Sequence, residues 1–281
     1  YAHDAAIYVN DEWDVTEKLR VNGGLRLTYF AHVGPFTRYV EDPAFDDRFI
    51  DTISYANGKK VADYMNLEPR LSLRYQLDKN SSLKAAYTQN YQYIHIASFG
   101  SVSLPTDVWV PSTDKVKPQY AVQYALGYFR NFEDNMYETS VEVYYKDMKN
   151  QIEYEEGATP DGDVRNNPDN NFVFGKGWSY GAEFFVKKAK GKLNGWIGYT
   201  LSFTNRQFPE VNLGRTYPAK YDRRHDVSLV MTYEYSKKWT FGMTWVYATG
   251  DALTLPNERF FMSAGPPVSI DQGGNIDVNN N

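Results

Sequence analysis

The side chains able to do chemistry in this chain are few, and their spacing suits neither catalysis nor metal binding. His3, His32, His95 and His225 are widely separated, and no two share the short spacing of metal ligands. They read as interface or loop residues, and neither a metal nor a cofactor is expected. Asp161-Gly-Asp163 through Asn171 has the polarity of a calcium loop. It lacks the third acidic ligand and the closing Glu of an EF-hand, and reads as a solvated loop. His225-Asp226 suggests a rim protease, but neighbouring residues of a strand face opposite ways and cannot form a dyad with each other. Nothing else supplies a matched acid and base, so no catalytic residue is expected and the chain does not read as an enzyme. Arg223 and Arg224 suit either an anionic ligand or hydrogen bonds at a strand entry. There are no cysteines, which excludes disulfides and thiolate metal sites. The net charge of −5 argues against a nucleic-acid partner.

The elements that position these residues follow from a two-sided alternation that recurs about ten times. Leu19, Val21, Leu25, Leu27 and Tyr29 alternate with Arg20, Asn22, Arg26 and Thr28. Each such segment has one apolar and one polar face. The pattern predicts strands over about 3–15, 19–31, 64–77, 82–93, 119–130, 136–148, 177–188, 193–205, 225–235 and 239–249. Short turns alternate strictly with long loops at about 32–63, 94–117, 151–173 and 206–224, and 251–281 reads as loop. Sorting of turns by length, with segments long enough to span a bilayer, predicts an all-β transmembrane antiparallel barrel. No apolar run is long enough for a transmembrane helix. Aromatic residues make up 16% of the chain, with 24 tyrosines, and they fall toward the segment ends as two interfacial girdles.

Short turns face the periplasm in such barrels, which puts both ends of the chain on the extracellular side. Residues 1–281 are therefore expected to be an internal piece of a longer chain and an arc of a larger barrel. The polar faces carry Arg26, Arg70, Arg74, Lys84, Glu138, Glu142, Glu183 and Lys187, which need a wet lumen or a polar filling. Thr28 and Thr244, on the same faces, are expected to tolerate an arginine. Ligand contacts are expected from loops and strand tops, with Tyr93, His95, Trp109, Arg165, Arg206, Arg215 and Arg224 as candidates. Aromatic and polar groups of this kind suit a sugar, a peptide or a siderophore.

Several stretches resemble one family. They are Pro69-Arg-Leu-Ser-Leu-Arg-Tyr-Gln-Leu, Ser82-Leu-Lys-Ala-Ala-Tyr-Thr-Gln-Asn-Tyr-Gln-Tyr-Ile-His95, Val116-Lys-Pro-Gln-Tyr120, Val141-Glu-Val-Tyr-Tyr-Lys-Asp-Met148, Gly177-Trp-Ser-Tyr-Gly-Ala-Glu183 and Tyr217-Pro-Ala-Lys-Tyr-Asp-Arg-Arg-His-Asp226. In order and type they resemble the barrel of TonB-dependent outer-membrane receptors, in the style abundant in Bacteroidetes. The resemblance implies a 22-stranded barrel filled by a plug. This chain would be the partial barrel domain, roughly the tenth to nineteenth strands, without the plug, the TonB box or the last strands. It further implies active import through the bacterial outer membrane. The partners would be outer-membrane lipid, an extracellular ligand, the TonB-ExbB-ExbD system through segments not in this chain, and in some members a surface lipoprotein. A passive porin or structural barrel is the alternative reading.

Overall fold

The computed structural model describes residues 1–42, 45–97, 108–155, 167–252, 269–270 and 276–277. The strands are β1 Ala2–Asp14, β2 Leu19–Val33, β3 Phe36–Asp42, β4 Phe45–Tyr55, β5 Lys60–Asp78, β6 Ser81–Gln92, β7 Ile94–Ala97, β8 Val108–Pro111 and β9 Gln119–Phe132. They continue as β10 Tyr137–Tyr154, β11 Phe172–Lys188, β12 Leu193–Gln207, β13 Tyr217–Pro218, β14 His225–Ser236, β15 Trp239–Ala248, β16 Ser269–Ile270 and β17 Ile276–Asp277. Ten of them form one antiparallel path, β1-β2-β5-β6-β9-β10-β11-β12-β14-β15, with β13 paired to β12. Each predicted strand corresponds to one member of this path. Among the described residues the sheet is an open arc.

The short connections are built by local chemistry. Thr16 Oγ1 accepts from the Leu19 amide at 2.9 Å, and Asp78 accepts from the Asn80 amide at 2.8 Å and from Ser81 Oγ at 2.6 Å. Side-chain acceptors of this kind satisfy the backbone donors that a tight turn leaves over. Gly195 meets a steric demand inside β12. Its φ is +147°, and a Cβ there would lie 2.1 Å from the Val230 carbonyl oxygen of β14.

The ladder extends furthest beyond the predicted strands on the side of the long connections. β5, β10 and β11 contain 19, 18 and 17 residues, where a tilted span needs about 9–11. The surplus lies toward the long connections, so the wall stands above the membrane. β5 begins at Lys60 inside the predicted 32–63 loop, which also holds the β3–β4 hairpin. β10 passes a register shift between Met148 and Gln151 and runs to Tyr154. The predicted 94–117 loop contains the β7–β8 hairpin, and the two-residue strands β16 and β17 fall in a stretch read as loop. Alternation disappears where lipid no longer covers one face, whereas backbone pairing continues, which is why sequence pattern alone stops short.

The two faces of the arc differ as predicted. Large apolar side chains remain open on one face, with Val9 66% and Leu126 53% exposed. In water such a continuous apolar surface would be a liability; in a bilayer it is the lipid contact. The opposite face is concave and polar. Glu138 and Lys187 pair across it at 3.1 Å, and Glu68 lies 3.8 Å from both Arg26 and Arg70. Thr28 departs from expectation. It is on the lumenal phase but only 2% exposed, so it is no open site for an arginine.

The face assignment predicts that Leu25→Arg or Phe241→Arg each destabilises the membrane-inserted protein by about 2–4 kcal/mol. Thr244→Arg, on the lumenal phase beside Val230, is expected to cost much less. Urea unfolding in lipid vesicles measures both, and equal costs on the two faces would refute the assignment.

Candidate functional site

The long connections converge above the lumen in three linked clusters. In the first, Tyr93 leaves the end of β6 and turns inward. Its ring stacks on Phe30, with centroids 5.0 Å apart and planes at 5°. Asn66 Nδ2 donates to the Tyr93 hydroxyl at 2.9 Å, and Thr28 Oγ1 donates to the Asn66 carbonyl at 3.2 Å. With those roles fixed, Tyr93 donates to Thr28 across 2.6 Å. Burial and this closed ring of hydrogen bonds explain the Thr28 departure.

The second cluster is a latch centred on Arg38 of β3, whose side chain is 4% exposed. Its Nη2 donates to Asp114 at 2.5 Å and to Asp169 at 3.0 Å. Asp169, itself buried, also accepts from Thr113 Oγ1 at 2.9 Å. Asn167 clasps the β3 backbone from the other side, accepting from the Tyr39 amide at 2.8 Å and donating to the Thr37 carbonyl at 2.9 Å. Tyr64 donates to the Thr113 carbonyl. One guanidinium thus joins segments near residues 38, 114 and 169. Asp169 belongs to the stretch expected to be a solvated loop; the structure buries it against a cation instead. Asp161 and Asp163 lie outside the described residues. The Nε and Nη1 atoms of Arg38 have no partner among the described residues, while the guanidinium lies 5.3 Å from the centre of the Phe36 ring.

The third cluster is the β7–β8 hairpin. One face carries His95, Ala97 and Val110, which are buried. Ala97 and Val110 join Val116, Ile152, Tyr154 and Phe172 in an apolar core. The other face sets Ile94 against Pro111 and Ile96 against Trp109. On it Ile94 and Ile96 are each 45% and Trp109 66% exposed. His95 Nε2 lies 3.0 Å from Ser112 Oγ. Loss of solvent alone lowers the His95 pKa to about 4, which keeps the ring neutral.

The candidates from sequence therefore separate. Tyr93 and His95 are buried within loop packing. Arg206 donates to Glu153 at 2.9 Å and lies over the Tyr221 ring. Arg224 donates to Asp222 at 2.7 Å and lies 4.4 Å from the centre of the Phe203 ring. Trp109 and Arg215 are exposed, and Arg165 lies outside the described residues. His225 and Asp226 find different neighbours, Tyr199 and Ser228. Among the described residues no group of three or more His, Asp or Glu side chains is placed to hold a metal ion. Arg38, Asp114 and Asp169 carried no signal in sequence, since each is an ordinary loop charge until the three segments meet.

A family model described as TonB dependent receptor-like, beta-barrel matches residues 2–269. A search of curated proteins finds no match. Among solved structures, the FrpB iron transporter from Neisseria meningitidis superposes with a TM-score of 0.58 at 16% identity, covering 99% of this chain and 36% of that one. The alcaligin outer membrane receptor FauA from Bordetella pertussis gives 0.57 at 15% identity, covering 89% and 38%. The ferripyoverdine receptor of Pseudomonas aeruginosa, bound to ferripyoverdine, gives 0.55 at 14%, covering 89% and 31%. At these identities the likeness is one of fold, and the chain spans about a third of the length of each.

Arg38→Ala leaves Asp169 buried without its cation, a loss of roughly 3–5 kcal/mol for a fully buried pair. The expected result is faster hydrogen exchange at Tyr39, Thr113 and Val116 together, with barrel strands unchanged. Exchange rising at Tyr39 alone would mean that the segments are independent. His95 binds its proton more weakly folded than unfolded, so folding around it loses stability as pH falls from about 6.5 toward 4. Opening of the hairpin, followed by exchange at Val110, should become about tenfold easier per pH unit across that window. His95→Gln should abolish the dependence.

Proposed function

This chain belongs to the TonB-dependent receptor β-barrel family and lies in the bacterial outer membrane, and from that premise we propose that it forms part of an active-transport receptor. Residues 1–281 serve as a partial barrel domain. The extracellular mouth captures a ligand, and import is coupled to TonB-ExbB-ExbD through segments outside these residues. The match over nearly the whole ten-strand arc carries this reading.

The exposed face of the β7–β8 hairpin supports a capture role. Its buried face already accounts for the packing of the hairpin, so Trp109, Ile94 and Ile96 are left free for contact. An aromatic ring flanked by aliphatic groups suits the apolar part of a ligand, and Arg215 at the exposed rim suits an anionic part. Tyr93, His95, Arg206 and Arg224 would shape the mouth from behind. The structural neighbours include an iron transporter, an alcaligin receptor and a ferripyoverdine receptor. A ferric siderophore is therefore the first ligand class proposed for this chain, ahead of sugars and peptides.

The test is uptake by cells producing the full-length receptor, with a panel of ferric siderophores, oligosaccharides and peptides, each with and without a protonophore. Uptake of one class that collapses with the protonophore, and falls at least several-fold in Trp109→Ala, is expected. Uptake indifferent to the protonophore would identify a passive barrel and overturn the energised reading.

A further inference from the structure

Near the short turns, β9 and β11 each carry one cation on the lipid-facing side of the arc. Arg130 follows Tyr124, Leu126 and Tyr128 at two-residue steps along β9, and Lys188 follows Phe184 and Val186 along β11. Alternation puts both on the face that meets lipid. Arg130 lies between two aromatic neighbours. Its Nη1 donates to the Tyr128 hydroxyl at 3.4 Å, and its guanidinium carbon is 5.1 Å from the centre of the Phe132 ring. Lys188 Nζ lies 5.8 Å from the centre of the Tyr137 ring. Tyr137 of β10 pairs with Phe132 on one side and with Lys188 on the other. The four residues thus form one saddle, with two rings in the middle and a cation at each end. Its width from Phe132 to Lys188 is two strand spacings, roughly 10 Å.

The protein does not neutralise this saddle. Asp78 accepts from the Asn80 amide and the Ser81 hydroxyl within its own turn. Glu138 pairs with Lys187 on the lumenal face. Glu133 and Asp134 are exposed in the turn beyond Phe132. Lys79 and Lys190 add further cations at the turns, with Lys190 donating to the Asp134 carbonyl at 2.9 Å. Among the described residues neither Arg130 nor Lys188 has a carboxylate within ion-pair distance. A guanidinium laid against a ring keeps most of its in-plane donors free for an oxyanion. The Phe132 ring itself is 42% exposed, so apolar surface lies directly beside the free donors.

We infer that the saddle of Arg130, Phe132, Tyr137 and Lys188 binds an anionic glycerophospholipid of the periplasmic leaflet. Its phosphodiester sits between the two cations, and its glycerol and upper acyl chains lie along the two rings. The inference relies on the chain lying in the outer membrane and not on transport. Bilayer already covers this face, because Tyr128, Val141 and Val186 continue it toward the hydrocarbon. The occupant is therefore a lipid, and at the level of the short turns the lipid presents its headgroup. Phosphate is the acceptor that a guanidinium and an ammonium recognise at that depth. The headgroup is also selected. A zwitterionic lipid brings an ammonium of its own between two cations, whereas an anionic one with an uncharged headgroup does not. A free anion from the periplasm satisfies the charge but leaves the rings without their apolar partner.

The experiment uses the full-length receptor in its own outer membrane, with a photo-cross-linking amino acid at Thr139. That residue pairs with Arg130 on the same face and leaves the four saddle residues intact. The control is Leu73, whose lipid-facing partners Val21 and Ala85 are uncharged. Mass spectrometry of the adducts gives the ratio of phosphatidylglycerol to phosphatidylethanolamine at each position. The expected ratio at 139 is at least several-fold above that at 73. Arg130→Gln with Lys188→Gln should bring it down to the control value. If that double variant does not assemble, judged by heat-modifiable migration in gels, Arg130→Gln alone takes its place and should lower the ratio at least twofold. The purified receptor in detergent supplies a second readout. Added phosphatidylglycerol should raise its unfolding temperature, and inorganic phosphate at the same concentration should not. Equal ratios at the two positions would mean ordinary interfacial cations and overturn the inference. So would a ratio indifferent to the substitutions, enrichment of the zwitterionic lipid, or equal stabilisation by free phosphate.

Discussion

Everything in this molecule depends on backbone hydrogen bonds that water cannot replace. In the hydrocarbon core an amide without a partner costs several kcal/mol, so a strand there exists only as a member of a continuous ladder. The unbroken path from β1 to β15 is that ladder. Side chains are then divided by default into a set that meets lipid and a set that meets the lumen. The apolar face, the polar face and the positions of the connections are consequences of one bonding requirement.

That requirement also explains what could be read from sequence. Inside the membrane the two faces meet different solvents, so residues such as Leu25 and Arg26 alternate and the strand is visible. Above it both faces of β5, β10 and β11 meet water or loops, and the pattern fades while the pairing continues. The β3–β4 hairpin is not visible in sequence because its apolar residues, such as Phe36, Tyr39 and Val40, hold no two-residue alternation and are interrupted by Pro43 and several aspartates, a pattern that ordinarily marks a loop. The bulge after Met148 hid the upper part of β10 by changing the phase of the side chains.

The mouth was less legible than the wall. Tyr93 and His95 stood out by residue type, yet their surroundings come from residues far away in sequence, such as Thr28 and Ser112. Arg38 and Asp169 are separated by 131 residues and meet only after the wall has brought their strands together. Local pattern carries no trace of such a pairing. The lumenal charges show the same limit from the other side. Each was identified individually, but their order across the sheet becomes visible only from register. Arg74 faces Lys84, and Glu142 faces Glu183.

The Arg38 latch has a consequence for how such a surface can change over generations. Outer loops meet antibodies, phages and competing molecules, and short exposed segments ordinarily drift without regard to one another. Here the neighbourhoods of residues 38, 114 and 169 share one buried cation. A change of sign or length in any one of them must be matched in the other two. These three segments are therefore bound to vary as a block, exchanged together or held together. The outward face of the β7–β8 hairpin is tied to none of them through its side chains and can be rewritten one residue at a time.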